Sequence, residues 1–370
     1  MKKNIRMQIL VCQGTGCTSA DSIELLENLQ KIVADRKLTD VEVKKTGCVG
    51  FCGEGPIVKV YPDNVFYTKV APKDAEELIN EHVMKGHVVE RLLYVSPTTG
   101  EHVHDQHNMD FYEKQTRIAL RNCGLIDPED IREYIARDGY QALHKVLTTM
   151  KPEDVVEEII ASGIRGRGGG GFPTGIKWKS TLASPGKEKY IFCNADEGDP
   201  GAFMDRSILE GDPHSVVEAM IIGGYATGAN QGIVYIRAEY PLAIERLQIA
   251  IDQANEYGFL GKNIFESGFD FDIIIRYGAG AFVCGEETAL IHSVEGKRGE
   301  PTRKPPFPSV KGYLDKPTTV NNVETYANIP QIILNGADWY ASMGTEGSKG
   351  TKVFALAGNV NNIGLVEVPM

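Results

Sequence analysis

The sequence contains no run of eighteen apolar residues, and its opening residues, 1–6, lack the apolar stretch of a secretory signal peptide. These absences argue against membrane insertion and predict a cytoplasmic protein. Positive charge is also scarce, because 50 acidic residues outnumber 39 Lys and Arg and give a net charge of −11. A general nucleic-acid binder needs a basic face, so we exclude that class. The 370 residues, 42% of them hydrophobic, predict a globular chain of two or three domains.

Seven cysteines form an odd-numbered, clustered set, which in a cytoplasmic protein favours metal or redox use over disulfides. Cys12 and Cys17 are spaced C-x4-C, and Cys48 and Cys52 are spaced C-x3-C thirty residues later. Thiolates in glycine-rich loops are typical ligands of iron–sulfur clusters. A structural zinc and unliganded or disulfide-bonded thiols are the alternatives, although zinc knuckles more often use C-x2-C. The preferred interpretation is a [2Fe–2S] cluster.

Residues 7–86 alternate strand-like and helix-like periodicity and predict a compact β-α-β-β-β-α unit. Its predicted elements are strand 7–11, helix 19–36, strands 41–45, 57–61 and 65–70, and helix 73–84. A connector follows over 87–125, in which His102, His104 and His107 lie close together without a neighbouring cysteine. We interpret them as part of a solvated linker rather than a metal site.

A glycine-rich loop at 166–178 is the least ordinary segment of the chain. Glycine lets main-chain N–H groups turn towards a ligand, and Arg167 and Lys177 add positive charge, so the loop is predicted to hold a phosphate. Gly166, Gly168 and Gly171 also satisfy G-x-G-x-x-G, but a helix predicted over 152–162 stands where a Rossmann turn needs a strand. A flexible linker is the alternative, although such linkers are Ser-rich.

Beyond the loop, strands and helices alternate, which indicates a mostly parallel sheet covered by helices. Residues 317–322 are predicted to cap a helix that runs to about 334, and 352–369 to begin a β-rich unit. The other predicted elements are strands at 190–193, 233–236 and 271–275, and helices at 214–226, 242–256 and from about 285.

Five motifs occur in the order and spacing of one family, and the resemblance covers nearly all of residues 126–370. They resemble the FMN- and NADH-binding subunit of respiratory complex I and its relatives in electron-bifurcating or NAD(P)-linked hydrogenases and formate dehydrogenases. Residues 7–86 resemble the thioredoxin-like [2Fe–2S] ferredoxins. The five motifs are the loop 166–177, Asn194-Ala195-Asp196-Glu197, Gly285-Glu286-Glu287-Thr288, Lys304-Pro305-Pro306-Phe307-Pro308 and Asn321-Asn322-Val323-Glu324-Thr325.

The resemblance implies an NAD(P)H dehydrogenase subunit without a general base, because hydride passes directly from nicotinamide to flavin. It implies that Cys12, Cys17, Cys48 and Cys52 hold the [2Fe–2S] cluster. NADH would be placed by Glu197, Glu287, Lys304, Phe172 and Phe307. FMN would contact Gly166, Arg167, Gly168, Lys177, Asn194, Asp196, Gly285, Glu286, Asn321, Asn322 and Thr325.

Three departures from the family pattern leave the preference between NAD and NADP open. Phe282 replaces a Tyr, Asp199 replaces a Glu, and Ser180 replaces a residue that is aromatic in some relatives. The fused ferredoxin domain favours a hydrogenase or formate dehydrogenase subunit that works with other iron–sulfur subunits, including a small [2Fe–2S] subunit. The alternatives are a complex I subunit and a flavin- and cluster-binding relay module that takes no nicotinamide.

The resemblance implies an α/β protein with a ferredoxin domain, a Rossmann-like FMN-binding domain and the start of a small β-rich domain. The family's C-terminal [4Fe–4S] domain carries a C-x2-C-x2-C run that this sequence lacks, so we expect a fragment of a longer protein. The predicted segments are 1–88 for the ferredoxin domain, 89–125 for a linker, 126–340 for the FMN- and NAD(P)H-binding domain, and 341–370 for an incomplete β-rich, SLBB-like domain.

Overall fold

A computed structural model describes residues 5–370. Residues 1–4 of the opening segment 1–6 therefore lie outside the described part. The chain divides into two compact units. The first comprises residues up to Gln115 with Asn122–Asp127 and Phe354–Val366. The second comprises Thr116–Arg121, Pro128–Val353 and Glu367–Met370. The domain boundaries predicted from the sequence stay a prediction.

The first unit is built on a four-stranded sheet in the order β2-β1-β3-β4. β1 and β2 are parallel, whereas β3 is antiparallel to both β1 and β4. Apolar residues on β1, such as Ile9 and Val11, pack against Leu25 and Leu29 of the following helix. The predicted thioredoxin-like order of elements is confirmed. The strands are β1 (Met7–Cys12), β2 (Val41–Thr46), β3 (Val58–Tyr61), β4 (Val65–Tyr67), and the short pair β5 (Tyr94–Val95) and β6 (His102–Val103).

Helices of the first unit extend into the segment predicted to be a linker. Phe111 and Tyr112 are buried there, and the ring centroids of Phe51 and Phe111 are 4.5 Å apart. The predicted solvated histidines, His102, His104 and His107, are exposed. The helices are α1 (Thr15–Thr18), α2 (Ser22–Asp35), α3 (Ala75–Leu78), which continues as a π-helical turn at Ile79–Met84, and α4 (Asp110–Glu113).

The second unit contains a four-stranded, wholly parallel sheet in the order β10-β7-β8-β9, which confirms the predicted helix-covered parallel sheet. One strand was not predicted. Residues 317–322 were expected to cap a helix, and Asn322 does cap the helix that begins at Val323. Residues 318–322 also form an edge strand, which pairs with the strand that begins at Tyr190. The strands of this unit are β7 (Tyr190–Ala195), β8 (Gln231–Arg237), β9 (Asp272–Gly278), β10 (Thr318–Asn322), β11 (Gly344–Thr345) and β12 (Ser348–Lys349). The last two strands, β13 (Thr351–Leu356) and β14 (Gly364–Pro369), each include residues of both units.

Helices pack on the parallel sheet, and the most buried of them spans 213–227. Gly223 and Gly224 allow this helix to approach closely, since a Cβ at either position would lie within 2.5 Å of Ile191 or Phe271. No helix within residues 5–370 is long and apolar enough to span a bilayer. The helices are α5 (Ile131–Ile135), α6 (Gln141–Thr149), α7 (Pro152–Ala161), α8 (Thr174–Ala183), α9 (Met204–Gly211), α10 (Pro213–Thr227), α11 (Pro241–Glu256), α12 (Glu287–Val294), α13 (Val323–Asn335) and α14 (Ala337–Ala341).

Candidate cofactor sites

A cavity of about 550 Å³ lies in the second unit, within the usual size range of small-molecule sites. The glycine loop and α8 contribute to its wall, together with β10 and the start of α12. Twelve of the residues predicted from the sequence line it: Gly166, Gly168, Phe172, Lys177, Asn194, Gly285, Glu286, Glu287, Lys304, Phe307, Asn321 and Asn322.

The glycine loop requires glycine at particular positions. Gly169 and Gly171 have φ of 115° and 60°, in the left-handed region that favours glycine. At Gly168 the limit is steric, because a Cβ there would lie 2.9 Å from Cβ of Asn322. The loop and the start of α13 are therefore in close contact. The N–H groups of Gly166 and Arg167, and those of Glu324 and Thr325 in α13, donate to acceptors within the protein. A cradle for an anion would therefore use the N–H groups of the glycines after Arg167.

Four charged side chains form one network in the cavity wall. Lys304 Nζ lies 2.7 Å from Glu287 Oε1 and 2.9 Å from Glu286 Oε1, and Lys177 Nζ lies 3.1 Å from Glu287 Oε2. Burial alone would raise the pKa of Glu287, but Lys177 and Lys304 outweigh it and hold that pKa below its ordinary value. Glu287 is therefore charged at neutral pH and lies between two lysines.

Glu286 has a second task at the start of α12. Its Oε2 accepts hydrogen bonds from the N–H groups of Thr288 (2.8 Å) and Ala289 (3.1 Å). This is the N-cap arrangement that satisfies unpaired donors at a helix start. Helix capping, the alternative to ligand binding for these carboxylates, thus accounts for one oxygen of Glu286, while its other oxygen contacts Lys304.

Asp196 provides an independent test of whether a ligand fits. Its Oδ2 is buried without a hydrogen-bond partner, and burial raises the pKa of this carboxyl to about 6. A buried polar atom without a partner costs stability unless a ligand satisfies it. Asp196 follows Asn194, whose Nδ2 donates to Gly285 O (2.9 Å) in the cavity wall. Asp196 does not itself line the cavity, but its Oδ2 lies 3.8 Å from where a Cβ on the lining residue Gly285 would stand. A polar ligand that extended past Gly285 would satisfy this oxygen.

Four predicted contacts are not part of the cavity wall: Arg167, Asp196, Glu197 and Thr325. Glu197 instead accepts from the N–H groups of Asp205 (3.2 Å) and Arg206 (3.3 Å) in the first turn of α9. Thr325 accepts from the N–H of Arg167 (2.9 Å). The role of each predicted residue towards a cofactor stays a prediction.

Several residues of the cavity wall were not predicted as site residues. Ser180 Oγ donates to Ser309 Oγ (2.9 Å), and this hydroxyl pair joins α8 to the proline-rich loop. Ser180 lies one helical turn beyond Ile176 and Lys177 on α8. This helical spacing was the sequence signal that could have placed Ser180 beside Lys177 in the cavity wall. Phe172 and Phe307 remain 50% and 52% exposed, which leaves their ring faces open to a ligand. The further lining residues are Gly170, Gly171, Ile176, Ser180, Pro308, Ser309, Thr318 and Val320.

The four predicted cluster ligands line one recess of the first unit, although they are not all in loops as expected. Cys12 ends β1, Cys17 lies in α1 and Cys52 begins a 3-10 turn. A Cβ on Gly14 would lie 2.9 Å from Cβ of Cys48, so glycine is needed for the thiols to converge.

The thiol recess brings four cysteines together, which is the number of thiolates that a [2Fe–2S] cluster takes. A [2Fe–2S] cluster distributes its four thiolates over two irons. The donor set and the glycines around it therefore fit such a cluster.

Two protein families match separate parts of the chain. Residues 159–331 match the Nuo51 FMN-binding domain, and residues 1–83 match the thioredoxin-like [2Fe–2S] ferredoxin. The chain joins these two domains. Its parallel sheet belongs to the Nuo51-type domain, and the thiol recess to the ferredoxin domain.

Relatives of this two-domain chain are components of redox enzymes. It is 70% identical to the NADP-reducing hydrogenase subunit HndC of Solidesulfovibrio fructosivorans, over 70% of this chain and 52% of that protein. For the NAD-reducing hydrogenase HoxS subunit alpha of Cupriavidus necator the identity is 50%, over 87% of this chain and 51% of that protein. For an NADH-quinone oxidoreductase component of Aquifex aeolicus the identity is 52%, over 70% of this chain and 61% of that protein. The chain thus spans about half the length of its hydrogenase relatives.

A solved structure shares the fold along the whole chain. The crystal structure of an NAD⁺-reducing [NiFe]-hydrogenase in the air-oxidized state matches with a TM-score of 0.59 and 29% identity. The match covers 99% of this chain and 59% of that one.

Proposed function

We propose that this chain is the flavoprotein subunit of an NAD(P)-linked hydrogenase, which transfers hydride between NAD(P)H and FMN and passes single electrons to iron–sulfur clusters. One observation carries the proposal: a single cavity combines a glycine loop, a lysine–glutamate network and two half-exposed phenylalanines. Main-chain amides suit phosphate, aromatic faces suit adenine, and carboxylates accept hydrogen bonds from ribose. The 70% identity to the hydrogenase subunit HndC, against 52% to the NADH-quinone oxidoreductase component of Aquifex aeolicus, favours this class over a complex I subunit.

The residues of the chain bind and orient in this proposal, and none acts as a general base. When bound, FMN supplies the hydride acceptor and separates the electron pair into single electrons. The glycine loop holds the phosphate, and the start of α13 supports that loop. Lys304 and Glu287 place the dinucleotide, with Phe172 and Phe307 against its adenine. The chain thereby fixes the distance between the two ring systems.

The ferredoxin domain would carry electrons away from the flavin. Cys12, Cys17, Cys48 and Cys52 would hold its [2Fe–2S] cluster. We further propose other iron–sulfur subunits as partners, including a small [2Fe–2S] subunit, and a cytoplasmic location. Electron bifurcation and a [4Fe–4S] cluster stay predictions about a longer protein.

An anaerobic titration tests the proposal. The FMN-loaded chain is titrated with NADH and, separately, with NADPH while the flavin absorption band is followed. Bleaching by either reductant is the expected result, and the more effective one identifies the preferred cofactor. FMN binding without bleaching by either would favour the relay module.

A matched pair of variants tests the assigned cavity. Lys304→Met removes a charged contact worth about 1.5–3 kcal/mol, so at limiting NADH bleaching should slow by roughly tenfold or more while FMN still binds. Lys311→Met is the control, because Lys311 is an exposed lysine outside the cavity wall. Equal bleaching by both variants would contradict the assignment of Lys304.

A further inference from the structure

Arg167 is the cation within the glycine loop, yet its side chain is buried, with 4% of the residue exposed. Its guanidinium donates to the main-chain oxygens of Thr351 (2.9 Å), Arg165 (3.0 Å) and Lys349 (2.5 Å), and to the hydroxyl of Tyr340 (3.1 Å). Arginine has five N–H donors in a fixed fork, and these bonds use four of them. The guanidinium is therefore occupied by the protein itself.

The main chain of Arg167 is held as firmly as its side chain. Its N–H donates to Thr325 Oγ1 (2.9 Å) in the first turn of α13. Arg167 thus links three elements of the second unit: the glycine loop through its own position, α13 through its N–H, and the 349–351 segment through its side chain.

Strand β13 completes a closed ring of contacts by binding the start of α13. Lys352 Nζ lies 2.5 Å from Glu324 Oε2, and the N–H of Val353 donates to Glu324 Oε1 (2.8 Å). A closed ring of hydrogen bonds leaves its members little freedom to shift independently. The spacing between the loop and the start of α13 is consequently set by contacts outside the cavity.

We propose that Arg167 is a positioning residue: it fixes the glycine loop against α13, and so sets the cradle for the FMN phosphate, without meeting that phosphate with its own charge. The cations that line the cavity are Lys177 and Lys304. The inference rests on FMN binding in the proposed function, and it separates two roles that the loop sequence alone cannot distinguish.

Substitutions at Arg167 distinguish geometry from charge. The dissociation constant of FMN is measured by flavin fluorescence quenching for the full chain, Arg167→Lys and Arg167→Gln, at several ionic strengths. Lysine keeps the charge but loses the fork. Both variants should therefore weaken FMN binding by about tenfold or more. The salt dependence of the dissociation constant should stay that of the unmodified chain, because no charge facing the phosphate is removed.

Two outcomes would overturn the inference. In the first, Arg167→Lys binds FMN as tightly as the unmodified chain, while Arg167→Gln binds it more weakly and with less salt dependence. That result would assign a direct contact between the charge of Arg167 and the phosphate. If the unmodified chain fails to bind FMN, the proposed function fails and the inference with it. If the unmodified chain does bind FMN, a contrary result with the Arg167 variants counts against the positioning role alone and not against the proposed function.

A milder variant keeps the test valid if substitution of Arg167 prevents folding. Tyr340→Phe removes one hydroxyl acceptor and leaves the buried ring, which packs against Gly350. We expect FMN binding to weaken by about two- to fivefold at unchanged salt dependence. Unchanged FMN affinity in Tyr340→Phe, with Lys179→Gln as an exposed control on α8, would count against the ring of contacts.

Discussion

Substitution of Gly168 by alanine should destabilise the second unit even without a cofactor. The new Cβ would lie 2.9 Å from Cβ of Asn322 and 3.3 Å from its Cγ, whereas carbon contacts prefer about 3.5–4.0 Å. Asn322 cannot retreat freely, since its Oδ1 caps α13 through the N–H of Thr325 (3.2 Å) and its Nδ2 donates to Asp205 (2.5 Å). Relief of the clash requires a shift of roughly 0.6 Å or more, which breaks the cap.

The expected cost combines two terms. Loss of an N-cap costs about 1 kcal/mol, and overpacking costs about 1–3 kcal/mol. A total of about 2–4 kcal/mol corresponds to a drop in Tm of roughly 4–16 °C for a unit of this size. Trp178 and Trp339 are the only tryptophans of the chain, and both lie in the second unit. Thermal unfolding followed by tryptophan fluorescence therefore reports on this unit.

Gly170→Ala is the matched control within the same loop. A Cβ there meets no atom within 4 Å, and Gly170 does not have a positive φ. Its Tm should stay within about 2 °C of the unmodified chain, because a surface substitution without a clash has a small effect. A Gly168→Ala chain that melts with the unmodified one, or an equal loss in both variants, would refute the steric reasoning.

Three further changes have defined outcomes. Cys48→Ser should abolish the iron–sulfur absorption of the reconstituted ferredoxin domain and leave flavin reduction by NADH intact; loss of both signals would contradict the assignment of separate sites. Burial raises the pKa of Glu324 from its ordinary 4.5 to about 7, so the folded chain retains a proton that the unfolded chain releases in this window, and stability falls as pH rises through it. Between pH 4.5 and 7, Glu324→Gln should remove up to about 3 kcal/mol of this fall in the free energy of unfolding, which is followed through the Tm at each pH. An unchanged dependence of Tm on pH would exclude Glu324 as the source of the fall. Glu286→Ala should cost about 1 kcal/mol of stability through the lost cap of α12, whereas Glu286→Asp should recover part of it in the same melting assay.

Elements with strong periodicity were predictable from the sequence. The helix expected over 152–162 spans Pro152–Ala161, and the one expected over 242–256 spans Pro241–Glu256. Strand β10 was not recognised, because its sequence, Thr-Thr-Val-Asn-Asn, contains a single apolar residue. Its burial depends on pairing with β7 and on the contact between Thr319 Oγ1 and Thr181 Oγ1 (2.7 Å). Strand formation here follows from tertiary contacts rather than local preference.

The candidate site shows the same division. Glycines and cations identified the loop, because their conformational freedom and charge are properties of the residues themselves. The direction of Arg167 could not be predicted, since three of its four acceptors are main-chain oxygens, which no sequence pattern marks. Glu197 stands beside Asp196 in the sequence, but the turn after β7 directs its carboxylate to the first turn of α9.

The position of β10 at the sheet edge also governs when the cavity can exist during synthesis. Tyr190 of β7 pairs with Thr318 of β10, 128 positions later, so this pairing is strongly non-local. A nascent chain that has emerged only through β9 holds three neighbouring strands and the glycine loop, but neither Asn321 nor Asn322. With the proposed flavin contacts at Asn321 and Asn322, we expect cofactor loading to be a late event of biogenesis, and ribosome-bound chains that end before 318 should capture no flavin.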